Sequence, residues 1–211
     1  LESNQFGDIK TGRFFMRVAF TTADPSSDVK QEDLKEEFKE ISDQFGMDWK
    51  LFDMNVNTPA VIMVSKFDHC LVDLLYRRRI GTLKMDIAAV ISNHDTTREI
   101  VNREKIPFHH IPVTSDTKQD AEDKIRKIIA DTGAELIILA RYMQILSTDM
   151  ANSYTGQIIN IHHSFLPSFK GAEPYSQAYH RGVNMIGATA HYVTPNLDEG
   201  PIIAQQVVPV R

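Results

Sequence analysis

From Thr58-Pro59 onward, short β-branched runs alternate with helix-patterned segments, and this rhythm constrains the fold more than any other feature of the chain. Strands buried on both faces read as nearly continuous apolar runs, and parallel neighbours need a crossover connection, usually a helix. Strands are therefore expected over residues 60–65, 85–92, 108–113, 136–140 and 158–162, with helices over 69–80, 96–105, 117–132 and 146–152. Two further strand candidates, 185–193 and 201–210, follow. The pattern predicts an α/β fold of Rossmann type, a mostly parallel sheet with helices on both faces. Ligands of such sheets bind beyond the carboxyl ends of the strands.

Residues 1–57 differ in character. The stretch 12–20 alternates as a strand with Phe14, Met16, Val18 and Phe20 on one side, after turn chemistry at 8–12. Residues 29–45 carry Leu34, Phe38, Ile41 and Phe45 at helical spacing and stop at Gly46. A further strand is expected over 48–54. The order strand, strand, helix, strand resembles the later part of an ACT-type small-molecule-sensing module without its opening strand and helix. A generic α+β appendage is the alternative.

Composition removes several function classes. A formal net charge of −5 and a pI near 5.9 argue against a surface built to neutralise a phosphate backbone. The run Arg77-Arg78-Arg79 reads as a solvated helix end. Cys70 stands alone, so it has no disulfide partner within the chain, and a reducing, cytoplasmic setting is expected. Apolar runs such as 134–140 fall far short of the roughly 20 residues a bilayer helix needs. No signal-peptide pattern opens the chain, and both ends read as incomplete, with an apparent strand at 207–211. Nucleic acid and membrane are not expected partners.

Catalytic chemistry concentrates after residue 158. The run Ile158-Ile159-Asn160-Ile161-His162 is a strand pattern, and residues two apart share a face, so Asn160 and His162 project together. An amide donor beside a protonatable ring suits a developing oxyanion. Asp198 follows in the turn Asn196-Leu197-Asp198-Glu199-Gly200, where Pro195 restricts Thr194 and Gly200 tolerates a positive φ, so a loop of defined shape is expected. That turn can bring a carboxylate back over the same end of the sheet. His163 is expected on the opposite face as a packing residue, and His109 and His110, before Pro112, as structural.

Three separated motifs, in order, carry a resemblance to a known family. They are Asn160-Ile-His-His-Ser-Phe-Leu-Pro-Ser-Phe-Lys-Gly171, then Gly182-Val-Asn-Met-Ile-Gly-Ala-Thr-Ala-His191, then Leu197-Asp-Glu-Gly-Pro-Ile-Ile203. Together they resemble the formyltetrahydrofolate-using formyl-transfer family. The resemblance implies a partial ACT-like regulatory domain at 1–57, with a possible amino-acid effector, and a formyltransferase-like catalytic domain at 58–211. It implies Asn160 and His162 as oxyanion donors and Asp198 as the group that orients the nucleophile and takes its proton. It implies a folate pocket with Arg141, Met143, Gln144 and Leu146 on one wall and Val193, Thr194 and Leu197 on the other, and His191 nearby. It further implies 10-formyltetrahydrofolate as substrate, no tightly bound cofactor or metal, and self-association into a homo-oligomer.

The acceptor separates members of that family. A ribonucleotide acceptor needs a glycine-rich phosphate cradle after the first strand of the α/β part, yet that position reads Ser65-Lys66-Phe67-Asp68-His69-Cys70. A tRNA acceptor fits poorly with the extra front module and the negative charge. Water is the remaining acceptor: hydrolysis of 10-formyltetrahydrofolate to formate and tetrahydrofolate, supplying formate for purine synthesis and balancing the one-carbon pool. Formyl transfer to glycinamide ribonucleotide or methionyl-tRNA is the alternative. A non-catalytic folate binder or amino-acid sensor is the second.

Overall fold

The computed structural model describes residues 1–21, 29–171 and 173–210, so Arg211 of the expected terminal strand and Ala172 of the motif run lie outside the described residues. Contacts divide the chain into two compact units, Leu1–Met54 and Asn55–Arg211.

In the first unit, β1 (Glu2–Asp8) and β2 (Arg13–Ala19) form an antiparallel hairpin. Asp8 shapes its turn, accepting hydrogen bonds from the Lys10 amide at 2.9 Å and the Thr11 hydroxyl at 2.6 Å. Helix α1 (Gln31–Gln44) follows, shorter at both ends than the pattern implied. The expected strand over 48–54 does not form. A strand exists through its ladder, and here the backbone is used otherwise: the Gln31 side-chain Nε2 donates to the Leu51 carbonyl at 2.5 Å, while Trp49 packs edge-on against Phe38 at 4.9 Å.

The second unit runs β3 (Thr58–Val64), α2 (His69–Arg79), β4 (Met85–Ser92), α3 (Arg98–Arg103), β5 (Phe108–His110), α4 (Lys118–Thr132), β6 (Leu136–Leu139), α5 (Thr148–Ser153), β7 (Ile158–His162), α6 (Pro174–His180), β8 (Met185–Tyr192) and β9 (Ile202–Pro209). Its sheet has the order β5-β4-β3-β6-β7-β8-β9, parallel through β7 and antiparallel at β8 and β9. Strand order reverses between β3 and β6, and such switch points open a crevice above the carboxyl ends. β5 is only three residues long, against six expected. The Ile111 amide still reaches the Ser92 carbonyl, but Pro112 has no N–H to continue the ladder.

Alternation along the central strands builds two cores. Val61, Met63, Ile137 and Leu139 pack with Ile125 and Ile129 of α4 and Met150 of α5. Their neighbours Ala60, Ile62, Val64 and Ile138 pack with Leu71 and Leu75 of α2 and Val101 of α3. Adjacent residues thus serve opposite layers, which is why these strands are apolar without a break. No helix among the described residues is long and apolar enough to cross a membrane.

Candidate active site

β7 ends inside the sheet, between parallel β6 and antiparallel β8, so its last side chains sit among side chains from both neighbours. Register places Asn160 opposite His191 and His162 opposite Thr189. The first pair is bonded: Asn160 Nδ2 lies 3.1 Å from His191 Nε2. His191 Nδ1 lies 2.9 Å from the Tyr192 carbonyl, which only accepts, so Nδ1 carries the hydrogen and Nε2 presents its lone pair to the Asn160 amide. His191, 2% exposed, therefore fixes which way Asn160 points.

Asp198 arrives from the loop between β8 and β9. Its own backbone, not that of Gly200, adopts the positive φ, at 55°. Gly200 makes no use of the positive φ it tolerates: a Cβ there would lie 1.7 Å from the Tyr192 carbonyl oxygen, so glycine is required for close approach of two backbones. The Asp198 carboxylate is 8% exposed. Its Oδ2 accepts from the Gly171 amide at 2.9 Å, and its Oδ1 lies 3.5 Å from His162 Nδ1 and 3.7 Å from His191 Nε2. Backbone strain and a backbone donor together hold the carboxylate in a pocket it would otherwise leave for water.

His162 is engaged at both nitrogens. Nε2 donates to the Phe169 carbonyl at 3.2 Å and Nδ1 faces Asp198. Its Nε2–H is thus taken up by the Phe169 carbonyl, whereas the second amide hydrogen of Asn160 has no partner among the described residues.

These groups form the floor of a cavity of ≈ 270 Å³. Arg141, Met143, Gln144 and Leu146 make one wall; Val193, Thr194 and Leu197 make the other. Every folate-contact candidate read from the sequence lines this one cavity. The first wall is clamped at each end. Ser65 accepts from the Met143 amide at 2.9 Å while its amide donates to the Arg141 carbonyl at 3.2 Å. Buried Glu122 of α4 accepts from the Ser147 amide at 2.7 Å and from the Ser147 hydroxyl, which itself caps α5 by accepting from the Met150 amide at 3.0 Å.

One placement overturns the sequence reading. His163, expected on the far face, lines the same cavity, because β7 ends at His162 and the bend beyond it no longer alternates. Burial, followed by the nearby Arg141 and His162, drives its pKa down to about 4 despite the opposing pull of Asp198. Tyr142, under the first wall, is pushed up to about 12 by burial and by Glu122. Neither Glu122 nor the Gly171 amide is signalled by pattern, since each meets its partner across more than twenty positions of chain.

The formyl transferase family model matches residues 59–211. The chain is 53% identical over 210 residues to a formyltetrahydrofolate deformylase of Corynebacterium sp. (strain P-1), covering 100% of this chain and 73% of that one. Its fold superposes with a TM-score of 0.90 on the crystal structure of formyltetrahydrofolate deformylase from Burkholderia mallei, at 47% identity and covering 99% of this chain and 73% of that one. A glycinamide ribonucleotide transformylase from Symbiobacterium toebii matches at a TM-score of 0.69 and 29% identity, covering 78% of each chain.

Proposed function

The chain belongs to the formyl transferase family, on its formyltetrahydrofolate deformylase branch, and from that premise we propose that Asn160, His162 and Asp198 hydrolyse 10-formyltetrahydrofolate to formate and tetrahydrofolate. The observation that carries this reading is the meeting of those three side chains on the floor of one cavity walled by 141–146 and 193–198.

The pterin lies between the two walls, reading main-chain groups around Gln144 and Leu146, and presents the formyl group to the floor. Water oxygen adds to the formyl carbon as Asp198 takes one of its protons, and the carbonyl oxygen becomes an oxyanion. Asn160 Nδ2 gives one hydrogen to His191 and offers the other to that oxyanion, a donor worth on the order of 3–4 kcal/mol in comparable sites. His162 shares the proton on Asp198 and reaches the oxyanion only by trading away the Phe169 carbonyl. The intermediate collapses as the bond from carbon to N10 breaks, N10 receives the proton held by Asp198, and formic acid leaves, losing its remaining proton to solvent as formate. Formate so released feeds purine synthesis, and the reaction balances the one-carbon pool.

The acceptor side supports water over an amine. The loop after β3 has no glycine for a phosphate cradle, and the Arg141 guanidinium stacks 5.5 Å from the Phe67 ring centroid beside it. The first unit, with its two strands and helix, serves in this reading as a partial ACT-like regulatory domain at 1–57 that responds to a small molecule such as an amino acid, ahead of a catalytic domain at 58–211. The chain works as a homo-oligomer, and the single cysteine supports a cytoplasmic setting.

Following formate from 10-formyltetrahydrofolate with and without an amine acceptor tests the assignment. Formate should appear without acceptor, and Asp198→Asn should lower turnover on the order of 10²- to 10⁴-fold while folate still binds. Turnover that required an amine would return the chain to the transferases, and an unaltered Asp198→Asn enzyme would remove the role given to that carboxylate.

A further inference from the structure

Three imidazoles face the catalytic cavity, and two are fully committed. His162 is engaged by Phe169 and Asp198, and His191 by Tyr192 and Asn160. His163 has no hydrogen bond or ion pair on either ring nitrogen among the described residues, although it lines the same cavity as Asn160, His162, Gly171 and Asp198. Its ring is nevertheless held: it meets Tyr175 of α6 edge-on at 5.6 Å and lies 5.5 Å from the His162 ring. Tyr175 is itself anchored, its hydroxyl donating to the Gly187 carbonyl at 3.3 Å. A fixed imidazole with a vacant lone pair beside a carboxylate is a water site with two acceptors.

We propose that His163 accepts a hydrogen bond from the attacking water and, with Asp198, aims it at the formyl carbon, so that this side chain selects water as the nucleophile. The inference rests on the hydrolase reading above. A water giving one hydrogen to Asp198 and the other to His163 has its lone pairs directed away from both, toward the substrate. The oxygen–carbon bond forms as the proton shared with Asp198 transfers to it. The carbon–N10 bond then breaks, and the proton ends on N10. His163 keeps the second hydrogen in a hydrogen bond and gains no net proton.

That role requires a neutral ring, and the surroundings supply one. Burial first, then Arg141, His162 and His69, disfavour a positive charge on His163, and only Asp198 favours it. A ring held near 4 keeps its lone pair throughout the neutral range.

The test compares wild type, His163→Ala and His163→Asn for formate release and for formyl transfer to added hydroxylamine, which yields a hydroxamate. In His163→Ala, kcat for formate should fall about 10- to 100-fold with KM little changed, and the ratio of hydroxamate to formate should rise. His163→Asn, whose carbonyl can accept from water, should recover most of the lost hydrolysis and return the ratio toward wild type. Unchanged formate release in His163→Ala would overturn the proposal, and so would an equal fall of both products. A wild-type enzyme that released no formate would overturn the hydrolase reading as well. While wild type turns over, the product ratio judges His163 alone.

Discussion

Asn160 would be an ambiguous catalyst on its own, since an amide turned by half a rotation presents oxygen where the reaction needs N–H. His191 removes the ambiguity through a chain of donors and acceptors that starts at the Tyr192 carbonyl and leaves only a lone pair for Asn160 to meet. His191 is thus a positioning residue, acting through Asn160. His191→Phe keeps the ring volume and removes the acceptor, so the amide can turn over. Its kcat should fall roughly 10-fold, part of the 10²- to 10³-fold that losing an oxyanion donor outright costs. KM should move little, and the effect should vanish in an Asn160→Ala background, where no amide is left to orient. Additive losses in the double variant, measured by steady-state kinetics, would show that His191 acts by some other route.

At the scale of elements, the wall formed by residues 141–147 is a connection between β6 and α5 that would be loose without its two clamps. Glu122 holds the far end from α4 at 3% exposure, accepting two hydrogen bonds from Ser147. Glu122→Ala strips the Ser147 amide of its partner and should cost about 2–3 kcal/mol, since hydrogen bonds to a charged acceptor are the stronger kind. The urea midpoint should drop with its slope unchanged, and KM for the folate should rise severalfold while kcat holds. An unaltered KM would mean that the wall keeps its shape without this clamp. The clamp was invisible in the sequence, whereas the strands and helices it joins were legible because their burial on two faces writes long apolar runs. Legibility failed where tertiary contacts decide. The 48–54 segment has strand-like residues but no ladder partner, Pro112 trims β5, and alternation stops describing side chains one residue past β7, at His163. Asn160, His162 and Asp198 were readable because strand periodicity and a turn suffice to bring them to one end of the sheet. Two of the groups that hold them, the Phe169 carbonyl on His162 and the Gly171 amide on Asp198, are backbone, on which sequence is silent.

The molecule as a whole is two units that differ in how much apolar surface they bury. The larger unit buries its central strands β3, β4 and β6 under helices on both faces and leaves β9 exposed, while the hairpin of the first unit leaves Phe6 65%, Phe14 63%, Phe15 53% and Met16 52% exposed. Phe6 and Phe15 pair across the hairpin on one face while Phe14 and Met16 lie on the other, and exposed apolar faces of this kind mark association surfaces. Self-association through the hairpin is therefore the expected solution behaviour. A net charge of −5 is too small to oppose it strongly at physiological salt, where the Debye length is about 8 Å. Phe14 and Met16 lie two apart on β2 and share a face, so Phe14→Glu combined with Met16→Lys places charge on that surface without adding net charge. Sedimentation equilibrium of the wild type should give a mass above that of one chain, and the double variant should shift toward the monomer with kcat preserved. A wild-type chain that sediments as a monomer would remove the hairpin from any role in assembly. A variant that stays associated would move the interface elsewhere on the molecule.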